Sequence, residues 1–280
     1  MDDNYPDDGR RGFVKKVVGG SVLASVAATG VMSVDLLTQK SGVGGGNITT
    51  VAIELLDGPA PRGMPQIPVE ITDSGELVGR APEPSEGELD PTIEIGGYEY
   101  SMGWFQYCGV QGYPGTQPQF ESDNKFRFDE QRWHEDMAGD VMTTDDFSDW
   151  ESYQGSADGA TEGLGKPAWG TWRSEGVDQT MPIQVMKTDK QKLLDNADND
   201  KLATWIEEAA PEGYIAWLNK CTHFCCVPQG FQTSSYGCGG SGYCSSDLVY
   251  CQCHQSQYDP FSSVEESMVA LPRPEPSEVL

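Results

Sequence analysis

The chain has 280 residues, 37% of them apolar, and carries 44 acidic against 18 basic side chains for a net charge of −26. That length accommodates one or two domains with a real core. So strong a negative field repels nucleic acid and anionic lipid headgroups, which makes both poor partners.

The acids are spread rather than massed. Residues 41–200 hold 30 of them against 10 bases, interleaved with Trp, Tyr and Phe. This pattern points to a folded protein from a salt-rich environment rather than a disordered acidic tail. At 1 M salt, surface carboxylates are screened beyond roughly 3 Å.

Residues 1–16 contain Arg10, Arg11, Phe13 and Lys15, and an apolar run follows from Val17 to Val34. The arrangement resembles a twin-arginine export signal. At 1.5 Å per residue the run makes about 27 Å of helix, just enough to cross a bilayer. No clear A-x-A cleavage site ends it, so it is expected to stay as a transmembrane anchor over residues 17–37, with a cytoplasmic N-terminus. SGVGGGN, within residues 38–48, has the composition of a flexible hinge.

Strand-like runs come next, at Thr49 to Leu55, Pro68 to Thr72 and Thr92 to Tyr100. Residues 80–91 have loop composition. Residues 121–165, acidic and spotted with Gly, are expected to form a solvated stretch with short elements, within an acidic insertion at about 80–200. Leu193, Leu194, Leu202 and Ile206 stand at helical spacing, which predicts helix from Thr188 to Ala209. His134, in RWHEDM, has no partner motif and is expected at the surface. GYIAWLN, residues 213–219, predicts a buried strand that leads directly into CTHFCC.

Seven of the eight cysteines and two of the three histidines fall between Cys221 and His254. A disulfide scaffold would explain the cysteines but not the histidines. A structural zinc site accepts two Cys and two His, yet zinc fingers space them as C-x2–4-C and H-x3–5-H. Here each loop offers one of each, as C-x-H (Cys221, His223) and C-x-x-H (Cys251, His254).

This mixed pairing resembles the Rieske iron–sulfur proteins, whose loops run C-T-H-x-G-C and C-x-C-H-x-S. The resemblance implies one 2Fe–2S cluster, with Cys221 and Cys251 on one iron and His223 and His254 on the other. It further implies a Cys226–Cys253 disulfide, and Ser256 and Tyr258 as hydrogen-bond donors to cluster sulfur. His223 and His254 would be the catalytic imidazoles that take a proton from quinol. Cys225 stands where the family has Gly, and Gln252 and Gln255 replace its Pro and Gly. LPRP, Leu271 to Pro274, weakly resembles the proline-bearing loop that covers such clusters. The pairing of Cys108, Cys225, Cys238 and Cys244 stays open.

The fold implied is all-β, a Rieske-like antiparallel domain over residues 49–280 behind one transmembrane helix, with its cluster-binding part at about 213–276. The function implied is the electron-transfer subunit of a quinol-oxidising cytochrome bc-type complex in the cell membrane, with its domain on the extracytoplasmic face. Its partners would be a cytochrome b-type membrane subunit, quinol, and a cytochrome c or blue copper acceptor. The alternatives are a Rieske subunit of a molybdenum oxidoreductase and an oxygenase-type ferredoxin.

Overall fold

In the computed structural model the described residues are 46–82, 91–108, 122–153, 163–176, 180–229, 231–232 and 247–271. The longest pairing joins β1 (Gly46–Asp57) to β13 (Gln257–Ala270), antiparallel from Gly46 opposite Ala270 to Asp57 opposite Gln257. Val51, Ala52 and Ile53 of β1 are fully buried, and the β-branched residues suit a pleated surface covered by a core. Two register shifts, at Ile53/Glu54 and Leu55/Asp57, bend this ladder as extra residues do.

Among the described residues, nine strands share one sheet. Beyond β1 lie β2 (Met64–Ile67), β10 (Tyr214–Leu218), β9 (Pro182–Lys187), β8 (Lys166–Trp172) and β7 (Phe126–Phe128), in that order. On the far side of β13 lie β12 (Leu248–Tyr250) and β11 (Phe231–Gln232). Two hairpins stand apart: β3 (Val69–Ile71) with β4 (Leu77–Gly79), and β5 (Thr92–Ile95) with β6 (Tyr98–Ser101).

The run expected as one strand at 92–100 is therefore a hairpin, because Gly96 and Gly97 take φ of 55° and 79°. Gly96 also has no room for a side chain, since a Cβ there would stand 2.3 Å from Trp205 Cα.

The expected helix at 188–209 is two. α1 (Lys190–Asp195) ends at Asn196, and α2 (Asp200–Ala209) starts anew with the Asn199 side chain accepting from Leu202 N at 3.0 Å. Asn at an N-cap satisfies a donor that the helix cannot. Leu202, Trp205, Ile206 and Ala209 form the buried face. Trp205 stacks on Trp104 at 5.2 Å between ring centroids and donates from Nε1 to Gln66 Oε1 at 2.7 Å.

Within residues 121–165, expected as solvated, the described residues contribute to the core. Phe126, Phe128, Met142 and Phe147 are buried, and β7 is an outer strand of the main sheet. Isolated aromatics between acids are what an edge strand with one covered face presents.

The expected architecture of a Rieske-like domain behind a membrane helix requires correction. The described chain is mostly antiparallel β-sheet with short helices, and among the described residues no helix is long and apolar enough to cross a membrane. α1 and α2 have 6 and 10 residues, or about 9 and 15 Å at 1.5 Å per residue, against a hydrocarbon core of about 30 Å. The twin-arginine region, the run at 17–37 and most of the hinge at 38–48 lie outside the described residues. The expected single-pass location in the cell membrane is corrected by the same finding.

Candidate functional site: two stapled loops

Loop one, Cys221–Cys226, follows buried β10, and loop two, Cys251–Ser256, joins β12 to β13. The two are built alike. In loop one Cys221 N–H donates to Cys226 O at 2.8 Å and Cys225 N–H to Cys221 O at 2.9 Å. In loop two Cys251 N–H donates to Ser256 O and Gln255 N–H to Cys251 O, both at 2.8 Å.

The fifth residue of each loop is left-handed, Cys225 at φ 58° and Gln255 at φ 68°. A non-Gly residue pays a steric cost there of about 1–2 kcal/mol. The turns therefore keep the geometry that glycine would favour, and the surrounding bonds hold a side chain in it.

A disulfide and two hydrogen bonds tie the loops and their flanking residues together. Cys226 and Cys253 form a disulfide with Cα atoms 6.6 Å apart. Gln252 Nε2 donates to Val227 O at 3.0 Å, and Gln229 N–H donates to Tyr250 O at 3.0 Å. A second disulfide, Cys108–Cys225, fastens loop one to the segment after β6. Cys238 and Cys244 lie outside the described residues.

Cys221 and Cys251 are buried free thiols. They hydrogen-bond to each other, which drives Cys221 towards thiolate and pushes Cys251 up. Bonds from Tyr258 and Ser256 act on Cys221 in the same direction. Tyr258 O–H donates to Cys221 Sγ at 3.0 Å. Burial first, and the neighbouring Cys221 second, push the Tyr258 hydroxyl up, so it stays a donor. Ser256, fully buried, also accepts from Ala60 N–H at 3.3 Å.

The imidazoles lie outward of the thiols. His223 is half-buried, His254 is exposed, and their ring centroids are 4.7 Å apart. His223 Nδ1 is buried with no hydrogen-bond partner among the described residues. Exposed Phe224 stands against both rings, at 4.3 and 5.3 Å.

Two neighbouring segments went unrecognised in the sequence. Residues 58–63 (GPAPRG) lie against the loops. Gly58 at φ 106° would place a Cβ 2.5 Å from Ser256 Cα, and Arg62 O accepts from Thr222 Oγ1 at 2.5 Å. Their proximity follows from the β1–β13 register, because β1 ends opposite the first residue after loop two. Tyr107 O–H donates to Lys220 O at 2.6 Å, beside the Cys108 bridge. LPRP is not seen in the covering role, since residues beyond Leu271 lie outside the described ones. The Gly-Pro-Ala-Pro run is the only local signal for the segment that does pack there.

His134 is not at the surface. It is 1% exposed, its Nδ1–H donates to Asp129 O at 2.9 Å, and its Nε2 accepts from Trp169 N–H at 3.1 Å. A backbone carbonyl on one nitrogen and a backbone N–H on the other assign this tautomer.

No protein-family model, curated protein or solved structure matches the chain. Among the described residues, the group whose ligand atoms all come within 4.8 Å of one another is Cys226, Cys251 and Cys253. It is not the set Cys221, His223, Cys251 and His254. The membership of the Rieske family, the 2Fe–2S cofactor, the quinol-oxidoreductase activity and the bc-complex function are therefore corrected. They rested on a two-Cys, two-His set converging, whereas the sulfurs that converge are three, and two of those are bonded to each other. What the fold and site define is a β-sheet protein with two disulfide-stapled loops that carry a thiol pair and an imidazole pair.

Proposed function

We propose that the two loops form a metal-binding site, with Cys221 and Cys251 as thiolate donors and His223 and His254 as imidazole donors. The observation that supports this reading is the state of the sulfurs. Two buried thiols stay unpaired although two disulfides lie in the same loops, and a buried, unpartnered imidazole nitrogen stands nearby. Burying an imidazole nitrogen without a partner costs free energy, and a metal at the imidazole pair would satisfy it.

Thiolate with imidazole is a soft to borderline donor set, suited to iron, copper or zinc. The donors come as two pairs, and the four do not close to a single shell at 4.8 Å, so each pair offers two donors. Tyr258 and Ser256 donate to ligand sulfur and spread its charge. The Cys226–Cys253 bridge fixes the spacing of the loops, and residues 58–63 pack on Ser256 and Thr222 beside the thiols.

The test is elemental analysis with an absorption spectrum on protein purified without reductant. Substoichiometric or greater metal should be found, and it should fall at least severalfold in Cys221→Ser, Cys251→Ser, His223→Ala and His254→Ala. A folded Cys251→Ser protein with undiminished metal would sink the reading.

A further inference from the structure

Cys251 has sulfur neighbours other than Cys221. Its Sγ and those of Cys226 and Cys253 lie within 4.8 Å of one another, and the last two are joined as a disulfide. A buried free thiol thus faces a bridge between the same two loops. Thiol–disulfide exchange needs a thiolate within reach of a disulfide sulfur and no external oxidant.

We propose that Cys251 exchanges with the Cys226–Cys253 bridge when no metal holds it, so that the site carries an internal thiol–disulfide switch. The metal reading supplies only what restrains the exchange; the sulfur geometry stands without it. In the step, the Cys251 proton passes along its hydrogen bond to the Cys221 sulfur, and the Cys251 sulfur attacks Cys226 Sγ. The Cys226–Cys253 bond breaks, a Cys226–Cys251 bond forms, and Cys253 leaves as thiolate and takes a proton from solvent. One S–S bond is made and one broken, so the number of thiols does not change. Attack on Cys226 keeps a bridge between the loops. Attack on Cys253 would join cysteines separated by one residue and release the clamp.

Solvation gives the exchange its direction. Cys251 is buried and Cys253 exposed, so the free sulfur moves from a dry position to one where its thiolate is hydrated. The product has lost Cys251 as a ligand and cannot take up metal until the exchange is reversed. A metal bound to Cys251 would hold its sulfur back from the bridge.

Peptide mapping by mass spectrometry tests this on the full chain. Protein is stripped of metal with a chelator, incubated, quenched in acid and alkylated under denaturing conditions. The expected result is a Cys226–Cys251 peptide that grows with time, alkylated Cys253, and an unchanged total of thiols. Cys221→Ser, which removes the group that takes the Cys251 proton, should form the same Cys226–Cys251 peptide more slowly, and Cys251→Ser should keep Cys226–Cys253. Stripped protein that holds the Cys226–Cys253 bridge throughout, or that forms Cys221–Cys251 instead, overturns the proposal. If the protein proves to hold no metal as purified, the metal reading fails, while the mapping still decides the exchange.

Discussion

His134 packs against Phe128 and Trp133, with ring centroids 5.0 Å away in each case, and both its nitrogens serve backbone groups. Burial lowers its pKa from the ordinary 6.5, and the Asp129 carbonyl opposes this only in part. Below pH 6.5 the unfolded chain takes up a proton that the folded chain refuses. Stability from His134 is therefore full above pH 6.5 and lost as pH falls below it, by at most about 1.4 kcal/mol per pH unit. Glu266 runs the other way. Burial raises it to about 6 from 4.5, although both its oxygens accept from Gly63 N–H. Its folded form binds the proton more tightly, so its contribution is greatest below pH 4.5 and is lost as pH rises through 6. Comparing the wild type with His134→Gln cancels the Glu266 part. Denaturant melts should show the wild type losing stability between pH 6.5 and 5 relative to the variant. His134→Ala, which orphans two buried backbone groups, should cost about 2–4 kcal/mol at pH 7.5.

Loop one is held at its fifth and sixth residues by bridges to different segments. Cys108–Cys225 spans 117 residues and Cys226–Cys253 spans 27. The chain-entropy estimate for loops of these lengths is about 4.9 and 3.6 kcal/mol. Removing the longer bridge should lower the denaturant midpoint more than removing the shorter one. The replacement at Cys225 matters, because its φ is 58°. Cys108→Ser with Cys225→Gly should be more stable than Cys108→Ser with Cys225→Ser by about 1–2 kcal/mol. Equal midpoints for the two double variants would show that the turn relaxes once the bridge is gone.

Across the whole molecule 44 acids face 18 bases. The pairs that form, such as Lys166 with Asp149 at 2.6 Å and Lys190 with Glu207 at 2.6 Å, leave most carboxylates unmatched. Self-repulsion of that surplus opposes the compact state. Its range shrinks from about 10 Å at 0.1 M salt to about 3 Å at 1 M. Thermal melting should therefore move to higher temperature as potassium chloride rises from 0.1 to 1 M. A midpoint that is flat or falls over that range would show that the carboxylates are neutralised by other means.

Alternation and apolar runs made β1 and β10 legible in the sequence, because a strand's side-chain period is local. The place of the candidate site was legible as well, since Cys and His crowd into two short windows, but not which of its sulfurs converge. Local patterns also carried the charge surplus and its consequence for salt. Three features depended on tertiary structure. Cys108 meets Cys225 across 117 residues, residues 58–63 cover the loops because of the β1–β13 register, and Cys226 of loop one comes beside Cys251 of loop two. Each is a contact between segments distant in the chain, and no local spacing encodes which distant segments a sheet will bring together. His134 belongs with them: alone in RWHEDM it has no partner, and only the fold of β7 and β8 around it supplies the two backbone groups that keep it buried and neutral.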